Sequence, residues 1–341
     1  MPFKPQRVLF ERSALDYPLG QDLYSRFSPL AHLEVKILPR HNRVGGIPGK
    51  TPQEAYQEGK RTLVVGVRRT LEFQTCKPSA HYQLPLVSGC MGQCEYCYLN
   101  TQFGKRPYLR VYVNVEEILR QAQNYIDQRQ PKITIFEGAA TSDPVPVEPY
   151  TSSLGRAISF FAQQPLSRFR FVTKFTDVDS LLNLDHNGHT TIRFSINVQS
   201  VIDEYEHTTP RLLPRIEAAG KIAAAGYPLG FIIGPVILFD GWESKYEELL
   251  SQLKQSLPKI SSDNLRFEVI SHRFTARAKN TILSVYPQTK LPMDESQRQY
   301  KYGQFGYGKY VYPRENMAQI NNFFPEHLSK YFPGAQLDYL I

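Results

Sequence analysis

From residue 81 onward, short apolar runs alternate along the chain with amphipathic stretches. Tyr82–Val87, Ile133–Glu137, Arg170–Phe175, Thr191–Val198, Gly230–Leu238 and Leu265–Ser271 are rich in β-branched and aromatic side chains, and each predicts a strand. Val115–Gln130 predicts a helix. Val115, Ile118, Leu119, Ala122 and Ile126 share one face, Asn114 is the expected N-cap, Glu116 and Glu117 suit the positive end, and Pro131 stops the run. Ser152–Gln163, Arg211–Ala225 and Lys245–Leu257 read as further helices. Strands that alternate with helices imply a parallel α/β sheet. Six of them suit a partial (β/α)6 TIM barrel, open on one side. The expected organisation is an N-terminal extension (1–80) packed on the barrel, the barrel itself (81–275) and a C-terminal region (276–341). The extension holds one expected strand, Thr62–Arg68.

The uncharged run Ile222–Phe239 is long enough to raise a membrane span. Gly226, Pro228, Gly230, Gly234 and Pro235 break it, so a helix end followed by a buried strand is expected instead. No secretory leader opens the chain, and the reading is a cytoplasmic protein without a membrane partner. With 341 residues, 41% hydrophobic, it can bury a large core. A net charge of +8 favours a polyanionic partner.

Three of the four cysteines lie within eight residues, Cys90-Met91-Gly92-Gln93-Cys94-Glu95-Tyr96-Cys97. Thiolates in this C-x3-C-x2-C spacing can hold three irons of a cubane and leave the fourth open to a small chelating ligand, whereas ordinary four-iron sites use four cysteines. A zinc site needs a fourth ligand, for which Cys76 and His81 are the near candidates, and favours close C-x2-C pairs. So few and so clustered cysteines cannot staple a core of this size as disulfides. The loop follows the first expected strand, and ligands in parallel α/β folds bind at strand C-terminal ends.

The motif, with an aromatic residue before its last cysteine, resembles the signature of radical S-adenosylmethionine (SAM) enzymes. That resemblance implies a 4Fe–4S cluster on Cys90, Cys94 and Cys97 with SAM on the open iron, and a barrel of the radical SAM type. The other strand ends fit a SAM pocket. After the second strand, Ser142 and Asp143 can accept hydrogen bonds from the SAM ammonium. Lys174, in an apolar strand, would pair the SAM carboxylate, or snorkel to the rim. Ser195 and Asn197 share a face and could bind ribose hydroxyls, or bond neighbouring backbone. Gly230-x-Ile232-x-Gly234 resembles the adenine-contacting strand, with Gly234 allowing a close approach.

Within the superfamily, the Ser88–Leu99 loop, the Phe136–Pro144 loop and the tyrosine-rich tail resemble the spore photoproduct lyase family. The resemblance implies a DNA-repair lyase that acts on ultraviolet-damaged DNA, with a reducing electron donor as a further partner. Its substrate is 5-thyminyl-5,6-dihydrothymine, a methylene-bridged thymine dimer. In the implied reaction a 5′-deoxyadenosyl radical takes a hydrogen from the dihydrothymine, the bridge breaks, and a thymine allyl-type radical is quenched. Tyr96 is implied to pack near the adenine and Tyr98 to relay a hydrogen atom, where each could otherwise be a packing residue. Ala140 stands where the family has its hydrogen-donor cysteine. Cys76 precedes the expected barrel, so the final step is expected to be impaired. Two other readings are another radical SAM enzyme acting on nucleic acid and a zinc-bearing nucleic-acid-binding module.

Gln299–Tyr312 predicts a hairpin around a glycine-rich turn. Lys301, Tyr302, Phe305, Tyr307 and Lys309 are its expected DNA contacts, with Arg273 upstream on phosphates. The same hairpin could instead cover the open barrel side, and the basic residues could form a solvated face.

Overall fold

A computed structural model describes residues 2–39, 44–258, 265–302 and 308–341. In chain order the strands are β1 (Arg7–Glu11), β2 (Glu34–Leu38), β3 (Thr62–Gly66), β4 (Thr75–Cys76), β5 (Ala80–Gln83), β6 (Val87–Ser88), β7 (Gln93–Cys94), β8 (Leu109–Tyr112) and β9 (Thr134–Glu137). They continue as β10 (Ser167–Thr173), β11 (Thr190–Ile196), β12 (Glu206–His207), β13 (Leu229–Val236), β14 (Leu265–Ser271), β15 (Gln299–Tyr302), β16 (Gly308–Val311) and β17 (Gln336–Leu340). Two compact units make up the chain. One runs to Gly92 and resumes over Gln102–Thr191; the other takes Gln93–Thr101 and Ile192–Ile341.

The first unit contains a sheet in the order β2-β1-β3-β8-β6, parallel except for β6. Residues 1–80 therefore supply three strands to it, where one was expected. All five residues of β1 are buried, as in a parallel strand covered on both faces. Its apolar run is only Val8-Leu9-Phe10, too short to stand out from sequence. The sheet reaches past the cysteine loop to recruit β8, so the N-terminal segment is not an appendage.

The same unit holds β4, β5, β9 and β10. β9 is parallel to both β5 and β10, and β4 runs antiparallel to β5. Phe136 and Phe169 each pack a ring 5.1 Å from that of Phe161, filling the space under these strands. The expected strand Tyr82–Val87 is in fact two, β5 and β6, which lie in different sheets. Asn114 does not cap the helix Val115–Arg129. Its side chain bonds the backbone N–H and C=O of Arg68 at 2.8 and 2.9 Å, pinning the end of β3 instead.

In the second unit β11, β13, β14 and β17 form parallel ladders. The helices Leu212–Ala224 and Trp242–Ser256 follow β12 and β13. Phe231, Phe267 and Phe332 pack in series with ring centroids 5.7 and 5.2 Å apart. Parallel ladders with intervening helices make this an α/β protein, as the alternation predicted. Among the described residues no helix is long and apolar enough to cross a membrane.

Candidate active site

The first half of the cysteine loop belongs to the first unit. Gly89 has φ +82°, and a Cβ there would sit 2.3 Å from the Tyr108 carbonyl oxygen, so only glycine fits. Its N–H donates to the Thr141 carbonyl at 2.9 Å, and the Asp143 N–H returns to the Gly89 carbonyl at 3.4 Å. The loop is thereby laced to the segment after β9. The Gly92 N–H points at the Cys90 sulfur at 3.3 Å.

Asp143 buckles that segment to the end of β10. Its carboxylate accepts the Thr173 hydroxyl on both oxygens (2.8 and 3.0 Å), the Lys174 N–H at 2.9 Å and the Val145 N–H at 3.4 Å. Burial pushes its pKa up to about 6, against the pull of these hydrogen bonds. All of its acceptor directions are engaged, so Asp143 organises the pocket wall, and Ser142 is left as the side-chain acceptor beside it. Lys174 is half-buried at the end of the strand.

A cleft of about 160 Å³ opens beside this wall, lined by Arg68, Gln74, Gln83, Ser88, Ala140 and Thr141 among others. Cys76 is half-buried in β4, next to β5, which in turn pairs with β9. Phe73 and Gln74, just before β4, line the same cleft as Ala140. The expectation that Cys76 is remote because it precedes residue 81 is thus corrected: its strand joins the strands that carry the site.

The second half of the loop belongs to the second unit. β7 pairs antiparallel with β12, setting Cys94 against Glu206 and Gln93 against His207. Glu95 accepts from the Thr289 hydroxyl and lies 2.7 Å from His207 Nε2. Asn100 Nδ2 and the Tyr286 hydroxyl donate to the Cys94 and Gln93 carbonyls at 2.9 and 3.0 Å. The Tyr96 hydroxyl donates to Glu206, whose other oxygen meets Arg215 at 2.6 Å. Desolvation first, then the Glu206 charge, raises the Tyr96 pKa well above the phenol range. Tyr98, by contrast, is 60% exposed. Sequence reasoning missed Glu206, His207 and Arg215. The available signal was Arg215, alone among Leu212, Ile216 and Ala219 on a buried helix face.

Ser195 and Asn197 do share a buried face. Asn197 spends its side-chain oxygen on the Tyr246 hydroxyl and the Val198 N–H, each at 2.9 Å, and donates to the Pro235 carbonyl at 2.8 Å. That is the backbone-bonded alternative. At Gly234 a Cβ would lie 3.0 Å from the Ile270 carbonyl, so close packing on β14 already requires a small residue.

β15 and β16 form the expected hairpin, with Tyr300 opposite Tyr310 and Lys301 opposite Lys309. Phe274 anchors it through a ring stack on Tyr310 at 5.2 Å and paired backbone bonds. Tyr302 is 70% exposed. Phe305 and Tyr307 lie outside the described residues. Arg273 and Lys309 are half-buried, and burial lowers the pKa of both, with Arg273 adding to the effect on Lys309.

Among the described residues no three His, Cys, Asp or Glu side chains converge closely enough to hold a single metal ion. A tetrahedral zinc site needs that convergence. A cubane does not, because each cysteine holds a separate iron. Three thiols in the C-x3-C-x2-C spacing are the chemical donor set that a cluster with one open iron uses.

A family model described as spore photoproduct lyase matches residues 3–341. The chain is 54% identical over 336 residues to the spore photoproduct lyase of Clostridium acetobutylicum, covering 98% of each protein. It is 47% identical to that of Bacillus subtilis (strain 168), covering 99% of this chain and 98% of the relative. A solved spore photoproduct lyase complexed with dinucleoside spore photoproduct matches with a TM-score of 0.97 at 47% identity, over 100% of both chains. A mutant form with bound AdoMet and dinucleoside spore photoproduct matches equally well, at 48% identity. The fold class expected from sequence, an α/β partial barrel, holds, and the chain belongs to the spore photoproduct lyase family.

Proposed function

We propose that this chain repairs DNA by returning the spore photoproduct to two thymines, using a 4Fe–4S cluster on Cys90, Cys94 and Cys97 together with AdoMet. The observation that carries the reading is the three-thiol loop laced to the Thr141–Asp143 wall, in a chain of this family. The cluster and AdoMet, when bound, supply a carbon radical able to take a hydrogen atom from the lesion. Lys174 is the cation for the AdoMet carboxylate, and Ser142 accepts from its ammonium. Arg68, Gln74 and Gln83 offer polar groups to the pyrimidine edges within the cleft. Cations Arg273, Lys301 and Lys309 meet DNA phosphates, which would relieve the repulsion that Arg273 imposes on Lys309. A low-potential donor supplies the electron, and the setting is the cytoplasm.

The last hydrogen comes from Cys76. Its S–H bond breaks homolytically, the hydrogen completes the thymine methyl group, and the unpaired electron is left on sulfur, to which Tyr98 would relay a hydrogen atom from the cofactor side. Support comes from the place of β4 beside the cleft that Ala140 lines. It comes also from a solved relative with AdoMet and the lesion analogue, altered from cysteine to alanine at its position 140 and from serine to cysteine at its position 76. This chain carries alanine and cysteine under those same two numbers. Ala140 then marks a moved donor, not an impaired enzyme.

The test is anaerobic reconstitution with iron and sulfide, followed by lesion-containing oligonucleotide, AdoMet and dithionite. Thymine release that requires both AdoMet and dithionite is expected, with less 5′-deoxyadenosine than thymine because the hydrogen is relayed back. A fully loaded protein that leaves the lesion intact overturns the assignment.

A further inference from the structure

Lys60 ends the helix Pro52–Lys60 and is 3% exposed. Its ammonium donates to the Cys90 carbonyl at 2.8 Å and to the Gly92 carbonyl at 2.7 Å, and lies 5.3 Å from the Tyr56 ring centroid. No carboxylate pairs with it among the described residues. Nearby Glu58 is engaged by Arg7 at 3.1 Å and Arg61 at 3.7 Å. A buried cation without a counter-charge is costly, and carbonyl dipoles offset only part of that cost. An anion beside it would offset the remainder.

The helix holds the ammonium in place rigidly. Thr51 and Glu54 form a capping box at its start. At Gly59 a Cβ would meet the backbone of Arg106 and Pro107 at 2.7–2.9 Å, so the helix end is pressed against that segment. The fixed charge faces the stretch of loop that begins with Cys90. A cubane on three thiolates is a net anion, and more so when reduced.

We infer that Lys60 positions the cysteine loop and supplies the compensating positive charge for the cluster, raising its midpoint potential. The inference rests on the cluster assignment under Proposed function. Fixed charge and hydrogen bonding near a cluster are what tune its potential at constant ligation. Lys60 acts through the loop carbonyls of Cys90 and Gly92, so it is a positioning residue.

The experiment is a redox titration of the reconstituted cluster, followed by electron paramagnetic resonance without AdoMet, in the wild type, Lys60→Met and Lys60→Gln. Both variants lack the charge, and glutamine keeps a donor. Both should shift the midpoint to more negative potential, or lose iron while the apoprotein keeps its circular dichroism and unfolding midpoint. An unchanged potential with full iron in either variant overturns the inference. Unfolding of both apoproteins also overturns it, making Lys60 a fold residue. A wild type without a four-iron signal would instead sink the cluster assignment.

Discussion

Glu206 and Arg215 form an ion pair of 2.6 Å in which both side chains are wholly buried. Glu206 also receives the Tyr96 hydroxyl, and its backbone pairs with Cys94. One carboxylate thus ties helix Leu212–Ala224, the cysteine loop and Tyr96 together.

Removing one partner of a buried pair leaves the other charge stranded, at a cost of about 3–5 kcal/mol. Glu206→Gln should lose stability on that scale in urea unfolding. The double variant Glu206→Gln/Arg215→Met should lose less than Glu206→Gln alone. Equal losses would mean that packing, not charge, makes the site sensitive.

Asp143 binds its proton more tightly in the fold than in the unfolded chain, with a pKa of about 6 against 3.8. Its contribution to stability is therefore complete below about pH 4 and is lost as the pH rises to about 6, by roughly 3 kcal/mol. The difference between wild type and Asp143→Asn should carry this slope. Parallel pH profiles for the two proteins would show that folding leaves the carboxyl's affinity for its proton unchanged.

Cys76→Ala should keep the visible absorption of the cluster, while Cys90→Ala, Cys94→Ala or Cys97→Ala abolishes it. With Cys76→Ala, bridge scission should continue, but the thymine radical should be trapped as adducts, for example with dithionite-derived sulfur oxides. Ala140→Cys in that background should restore clean thymine. Mass spectrometry of the products decides. Thymine released as cleanly by Cys76→Ala as by the wild type means that another residue donates the hydrogen.

Lys174→Met should weaken AdoMet binding by about 1.5–3 kcal/mol, the worth of a hydrogen bond to a charged group. Calorimetric titration of the cluster-loaded protein gives the comparison. Unchanged affinity returns Lys174 to a side chain that extends to solvent.

Lys301→Ala with Lys309→Ala should reduce the slope of log affinity against log salt for duplex DNA by about 0.9 for each phosphate that is no longer neutralised. A slope equal to that of the wild type would place both lysines in solvent.

What the sequence determined by itself is local. Cys90, Cys94 and Cys97 lie within eight residues, so their spacing alone restricts the metal centre. The helix Val115–Arg129 and the hairpin of β15 and β16 were legible because each element's period is written in adjacent residues. What only the tertiary structure decided depends on partners far apart in the chain. Tyr96 meets Glu206 across 110 positions, and Lys60 meets Cys90 across 30. The split of Tyr82–Val87 into β5 and β6 was hidden because Leu84, Pro85 and Leu86 continue the apolar run while the chain changes sheets. β4 joins the site strands through two residues that pair with β5, too few to carry a pattern. A hydrophobic period reports which face of an element is buried, but not which distant strand buries it, and that choice is what brings β4 onto β5 and Lys60 beneath the loop.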